Sequence, residues 1–406
     1  MMQVVRPAVE WELASLLREA AERAMPLEII GGGSKRAFGR SVQAAKAVVT
    51  SALRAISLYE PSELVMSALA GTLLADVERE LSGKGQMLPF EPIDLGPVLG
   101  AETGLGTIGG VFATNLSGSR RVLAGAARDH LLGVRAINGR GEAFKSGGRV
   151  MKNVTGYDLA RGLAGSWGTL AVMTEVTFKV QPKPETTATL VLIGLADEIA
   201  SEVMCLAMGS PYEVSGAVHL HEPVVGRLWN ATLRGAGGSV TAIRLENFAK
   251  FIAYRKERLG KLLGPYGEVH AVDEATSLAF WSELRQLSAL QRQSTPLWRL
   301  SVTPTSGPKI VKAIAQHMQV EAVYDWSGGL IWLGVPSAAD AGASDIRRVI
   351  AHHGGHATLV RAAPAVRAAI EVFQPLEPGI DRISRGLKAA FDPAGILNPG
   401  RMHASF

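Results

Sequence analysis

The sequence predicts an α+β protein in two main parts, and three features lead to that reading. Stretches with helical spacing are interspersed with short alternating strands. Most of the glycine pairs and triplets fall between residues 31 and 168. Pro182 and Pro184 then interrupt regular structure after the clearest strand in the chain. With 406 residues there is room for two or three domains with ordinary cores. The expected division is 1–184, 185–350 and 351–406, the last segment returning to the first.

From the N-terminus, Ala8 to Ala24 carries Trp11, Leu13, Leu16, Leu17 and Ala20 at helical spacing, which predicts an amphipathic helix. Leu27 to Ile30 is a short apolar strand running straight into Gly31-Gly32-Gly33-Ser34-Lys35. Leu64 to Ala70 reads as a strand, and Thr72 as the cap of a helix ending near Gly83 and Gly85. Leu131 to Asn138 and Glu142 to Ser146 form a hairpin about Gly139-Arg140-Gly141. In Thr169 to Val180 the residues Leu170, Val172, Thr174, Val176, Phe178 and Val180 share one face of a strand. Residues 185 to about 350 form a second α+β region. Gly379 to Phe391 is an amphipathic helix built on Ile380, Ile383, Leu387 and Phe391, followed by a turn-rich tail.

Composition excludes several function classes. Hydrophobic residues make up 47% and charged residues 19%, a globular balance. The formal charge is +5, but the basic residues are scattered with few aromatics among them, so nucleic acid is not an expected partner. One cysteine, Cys205, excludes a disulfide framework and a cysteine-held metal or iron–sulfur cluster in this chain. There is no secretory signal and no apolar run of the ~20 residues that span a bilayer. A cytoplasmic protein is expected, at most docked peripherally on a membrane.

Two glycine-rich segments suit a diphosphate, because backbone N–H groups solvate such a group when no Cβ holds it off. The first is Gly31 to Lys35, where Ser34 adds a hydroxyl and Lys35 a positive charge. The second runs from Thr107 through Gly109, Gly110, Ala113 and Asn115 to Gly118. Gly104-Leu-Gly106-Thr-Ile-Gly109 also matches the G-x-G-x-x-G pattern of nicotinamide-cofactor domains, with Asp129 twenty residues on. That motif needs a buried strand directly before it, whereas Pro89 to Thr103 holds three prolines and no β-branched run, so the match is set aside.

These segments together resemble the vanillyl-alcohol-oxidase, or p-cresol-methylhydroxylase, type of flavoprotein. Arg128-Asp129-His130, Gly147-Gly148-Arg149-Val150-Met151-Lys152-Asn153-Val154-Thr155-Gly156-Tyr157-Asp158, Gly165-Ser166-Trp167-Gly168-Thr169 and Asn398-Pro399-Gly400-Arg401 extend the resemblance. They point to the D-lactate dehydrogenase and glycolate oxidase branch. Gly85-Gln86-Met87-Leu88-Pro89, Asp325-Trp326-Ser327-Gly328-Gly329 and Gly354-Gly355-His356 narrow it to the smaller FAD-binding subunits of that branch. The resemblance implies two α+β subdomains cradling FAD, with an α+β cap domain between them in sequence. It implies that Gly31, Gly32, Gly33, Ser34 and Lys35 hold the pyrophosphate, with Thr107, Gly109, Gly110, Ala113, Asn115 and Gly118 opposite. Gly168 and Val172 would approach by their backbone, and Asn398 would close the site from the tail. The implied partners are a larger flavin subunit and an iron–sulfur subunit of a glycolate oxidase complex, and the implied substrate is a small 2-hydroxy acid. The alternatives are a stand-alone FAD-dependent D-2-hydroxy-acid dehydrogenase and a flavin-free scaffold subunit.

Three departures stand out. The first glycine loop offers no His or Cys for covalent attachment, so FAD is expected to be held non-covalently. Catalytic relatives also carry a His-Gly-Asp-Gly-Asn-x-His type segment late in the chain, and it is absent here. Trp167 stands where relatives commonly have glutamate. Tyr157, Asp158 and Arg121 are the candidates for contact with substrate, each set against an ordinary structural role. The run His352-His353-Gly354-Gly355-His356 lacks a metal-ligand spacing, so no metal site is expected.

Overall fold

The computed structural model describes residues 2–150, 156–291 and 294–404. The motif residues Met151, Lys152, Asn153, Val154 and Thr155 lie outside them. The chain divides into two compact units. The first is Met1–Ser117, Gly125–Lys183 and Glu371–Phe406; the second is Gly118–Ala124 and Pro184–Ile370. The returning segment thus begins at Glu371 rather than 351. Its expected start instead belongs to the second unit, where His356–Arg361 is an edge strand paired antiparallel to Leu297–Ser301.

In the first unit, helix Glu10–Glu22 buries Leu13, Leu17 and Ala20, while Trp11, expected on the same face, points outward. That face covers a parallel sheet ordered Gln3–Val5, Lys46–Val49, Leu27–Ile30. A second sheet runs Ile56–Glu60, Val65–Leu69, Ala171–Lys179, Leu131–Asn138, Ala143–Gly147, all antiparallel. Alternation in Ala171–Lys179 sends Met173 to one apolar cluster and Val172 to the other, so this strand serves both cores. Thr72 does not cap helix Leu74–Gly83. Its hydroxyl pairs instead with the backbone of Ala55, at 3.0 Å to both N and O.

The tail is fixed by a buried polar knot. Lys388, 5% exposed, donates to Thr169 O at 2.8 Å, Leu397 O at 2.9 Å and Asp392 Oδ2 at 2.7 Å. Asp392 also accepts from Ile396 N at 3.1 Å and Leu397 N at 2.8 Å. A Cβ on Gly139 would lie 2.2 Å from Asp392 Oδ1, so the hairpin turn sits against this knot. Helix Pro378–Phe391 is therefore held through Lys388, whereas Ile380, Ile383 and Leu387 are exposed, contrary to the expected packing face.

The second unit is an eight-stranded antiparallel sheet. Its order is His270–Val272, Thr186–Ile193, Val240–Asn247, Val214–Leu220, Glu321–Asp325, Leu330–Gly334, Leu297–Ser301, His356–Arg361. Helices Asp197–Met208, Ala249–Leu263 and Glu274–Gln286 pack on it. The short Gly118–Ala124 segment joins this unit through polar contacts. Arg120 grips Glu246 with two bonds of 2.8 and 2.6 Å, Ser119 donates to Asp325 Oδ2 at 2.8 Å, and Trp326 Nε1 donates to Gly118 O at 3.0 Å. Burial works against the Glu246 carboxylate, but Arg244 and Arg120 outweigh it and hold its pKa at about 2. Among the described residues, no helix is long and apolar enough to cross a membrane.

Removing one partner of a buried ion pair strands the other charge, so Lys388→Ala is expected to cost about 3–5 kcal/mol in urea unfolding. Ile383→Ser, on the exposed face of the same helix, is expected to stay within about 0.5 kcal/mol of wild type.

Candidate cofactor site

A cleft of about 830 Å³, open mouth included, lies in the first unit at the C-terminal end of strand Leu27–Ile30. The turn Gly31–Lys35 forms one wall, and Thr107, Gly109, Gly110 and Ala113 form another. Gly168, Val172, Asn398 and Arg401 complete it. The two glycine segments touch. A Cβ on Gly32 would lie 1.7 Å from Leu105 O, and one on Gly31 would lie 2.5 Å from Thr107 Oγ1. Glycine is needed at position 32 because the facing atom is backbone, which cannot withdraw.

The walls offer different chemistry. In helix Ile108–Thr114 the first amides are already satisfied. Ile108 N donates to Thr72 O, Gly109 N to Ala70 O at 2.9 Å, and Gly110 N to Thr107 Oγ1 at 3.3 Å. The small residues of this helix therefore pack it onto the 70–72 turn instead of presenting donors to a ligand. In the Gly31–Lys35 turn, the N–H groups of Gly32, Gly33, Ser34 and Lys35 make no hydrogen bond among the described residues. Lys35 has no carboxylate partner there either. Burial pushes its ammonium pKa down, and only the more distant Asp94 opposes this. Free amides beside a desolvated cation, in a cleft of this size, fit a phosphate-bearing ligand.

The other side of the turn is locked by the tail. Asn398 Oδ1 accepts from Ile29 N at 2.7 Å, and its Nδ2 donates to Trp167 O at 2.8 Å. Asn398 N donates to Leu27 O at 3.0 Å, extending the parallel sheet by a bridge between Leu27 and Leu397. Trp167 itself sits at φ 56°, a costly region for a large side chain. It packs between Phe38 at 4.5 Å and Phe373 at 5.5 Å, centroid to centroid. The tryptophan found in place of glutamate thus closes an aromatic cluster. Arg401 donates to Lys35 O at 2.8 Å and Arg36 O at 3.1 Å, and Arg36 forms a two-bond pair with buried Glu28 at 2.9 and 2.6 Å. Arg401 is visible in the sequence only as the end of the Asn398–Arg401 motif, and Glu28 looks there like a surface charge.

Four expected ligand contacts resolve otherwise. Asn115 ends helix Ile108–Thr114 in the left-handed region and accepts from Arg128 N at 2.9 Å, so its side chain is spent on the fold. Gly118 belongs to the second unit. Neither is among the residues lining the cleft. Tyr157 is 90% exposed, and Asp158 caps helix Leu159–Leu163 by accepting from Arg161 N at 3.2 Å. Tyr157 thus faces solvent and Asp158 serves as a helix cap, so the two do not form a hydrogen-bonded core pair.

Arg121 lies in the second unit over the Trp326 ring, 4.3 Å from its centroid, and Arg299 lies 5.2 Å from the same centroid. Arg299 Nε is buried with no hydrogen-bond partner among the described residues. Burial, and then the charge of Arg121, lower the Arg299 pKa to about 10, against the pull of Asp325. Both Asp325 oxygens are already engaged, by Ser119 at 2.8 Å and by Trp326 N at 2.7 Å.

Comparison with known proteins agrees with this cleft. Residues 2–147 match the family described as FAD binding domain, and the chain belongs to the FAD-linked oxidoreductases that carry it. It is 35% identical over 394 residues to the glycolate oxidase subunit GlcE of Escherichia coli K12, covering 97% of both chains. It is 26% identical to the glycolate oxidase subunit GlcD of Bacillus subtilis 168, covering 99% of this chain and 88% of the other. Among solved structures, p-cresol methylhydroxylase superposes with a TM-score of 0.73 at 14% identity, over 98% of this chain and 88% of that one, which shows a shared fold. FAD is therefore the cofactor, and the protein is an oxidoreductase.

Gly32→Ala is expected to force the two glycine segments apart and lower flavin retained after gel filtration by about tenfold or more. Asn398→Ala leaves Ile29 N and Trp167 O unpaired. It is expected to cost about 1–3 kcal/mol, seen as a lower thermal midpoint with and without added FAD.

Proposed function

We propose that this chain is the FAD-binding subunit of a glycolate oxidase complex, taking part in oxidation of a small 2-hydroxy acid while electrons pass to a partner. The observation that carries the reading is end-to-end likeness to a glycolate oxidase subunit, together with a cleft of free amides and a desolvated lysine at the matching segment. The bound flavin supplies the two-electron acceptor, and this chain's residues supply binding and orientation. Gly32 to Lys35 would receive the pyrophosphate on their N–H groups, with the Lys35 ammonium available to offset its charge. Asn398 and Arg401 keep the turn in place.

Attachment is non-covalent on this reading. The residues lining the cleft include no histidine, cysteine or tyrosine to form a bond to the flavin. The partners are a larger flavin subunit and an iron–sulfur subunit, which would accept the electrons that this single-cysteine chain has no cluster to carry. In the second unit, the carboxylate of the hydroxy acid is assigned to Arg299 and Arg121. Arg299 has a buried donor with no partner among the described residues, and burial together with the nearby charge of Arg121 lowers its pKa, so an anion placed there would offset both effects.

Two measurements check this. Acid precipitation of the purified chain is expected to leave all the flavin in the supernatant. Anaerobic glycolate is expected to leave the visible flavin spectrum of the isolated chain unchanged and to bleach it once partner subunits are added. Bleaching of the isolated chain would favour a stand-alone dehydrogenase instead, and a colourless chain that gains no absorbance from FAD would favour the scaffold. In the assembled enzyme, Arg299→Ala is expected to raise KM for glycolate by about ten- to a hundredfold, since a charge-assisted bond contributes about 1.5–3 kcal/mol. An unchanged KM would remove Arg299 from the substrate site.

A further inference from the structure

Helix Ala249–Leu263 of the second unit has two faces of opposite character. Ile252, Leu259 and Leu263 are buried and fix the helix to the sheet. The outward side carries Phe251 and Tyr254, 44% and 56% exposed, preceded by Phe248 at 61%. Phe251, Tyr254, Arg258 and Lys261 follow one another at i, i+3, i+7 and i+10, which places them on one strip of the helix surface.

Charge is just as one-sided. The helix sequence AKFIAYRKERLGKLL holds five cations (Lys250, Arg255, Lys256, Arg258, Lys261) against one acid, Glu257. Arg255 pairs with Glu213 at 2.6 Å and Lys261 with Glu257 at 2.5 Å. Lys250, Lys256 and Arg258 have no carboxylate partner among the described residues. Lys250 lies 4.9 Å from the Phe251 centroid and Arg258 lies 5.3 Å from that of Tyr254, so cations and exposed rings are interleaved.

We infer that this helix docks the protein on an anionic lipid surface. Rings of this kind enter the boundary between headgroups and acyl chains, while neighbouring lysines and arginines extend to the phosphates. Each cation near such a surface adds attraction that salt screens. The helix is already folded and packed from below, so docking incurs no cost of ordering it. Unpaired positive charge around the rings selects an anionic surface over a neutral one. The absence, among the described residues, of a helix able to span a bilayer is compatible with contact of this superficial kind. The inference stands on the second unit alone and is independent of the flavin assignment.

The test is sedimentation of the full FAD-loaded chain with large vesicles of phosphatidylcholine, alone or mixed with phosphatidylglycerol. Binding is expected only to the mixed vesicles, and it should fall as salt is raised. Lys250→Glu with Arg258→Glu, and separately Phe251→Ala with Tyr254→Ala, are each expected to weaken it by about tenfold or more. Flavin content and thermal midpoint should not change, because these side chains are exposed and lie outside the flavin cleft. Equal binding by the variants, binding to neutral vesicles alone, or no binding to either vesicle overturns the inference. So does retention on single-stranded nucleic acid or an acidic peptide without vesicle binding.

Discussion

A diphosphate held by backbone amides needs main chain brought to contact distance and kept there, and in this protein that constraint falls on Gly32 against the Leu105 carbonyl. Where a Cβ would stand 1.7 Å from that oxygen, no other residue is possible without moving a whole segment. Everything around the cleft can be seen as a means of maintaining this approach. Strand Leu27–Ile30 delivers the turn, helix Ile108–Thr114 backs the facing segment with its own amides already paired, and the tail grips the strand and the Trp167 turn from the far side. The amides of Gly32 to Lys35, which make no hydrogen bond among the described residues, are then donors in the cleft not consumed by the fold.

The sequence made much of this legible. Strand Leu27–Ile30, the hairpin about Gly139 and Gly141, the strand ending in Val180 and the break at Pro184 all follow local rules, and the structure has them. Both glycine segments were visible because close backbone contact leaves a compositional mark. What was hidden depends on partners distant in sequence. Lys388 resembles a solvated helix lysine until Thr169 O and Leu397 O surround it. Asn115 looks like a ligand donor until Arg128 N occupies it, and Thr72 looks like a cap until Ala55 takes its hydroxyl. The apolar periodicity of Pro378–Phe391 correctly signalled a helix, but periodicity does not say which side faces inward.

Both units pair most buried ions and leave a desolvated cation open. In the first, Lys388 pairs with Asp392 and Glu28 with Arg36, while desolvated Lys35 has no carboxylate partner among the described residues. In the second, Arg120 and Arg244 hold Glu246, while Arg299 Nε near Trp326 is buried without a partner among the described residues. A completed network favours rigidity, whereas an incomplete one is a standing affinity for whatever anion completes it.

The route of the polypeptide has a consequence for biogenesis. Asn398 joins Ile29 and Trp167 across separations of 369 and 231 residues, and residues Pro184–Ile370 of the second unit are inserted between the segments it ties and the tail itself. On the ribosome, the inserted unit has all its strands available while the first still lacks its final clasp. The glycine turn therefore gains its clasp only when synthesis is nearly finished, and nascent chains cut short before residue 398 would lack it.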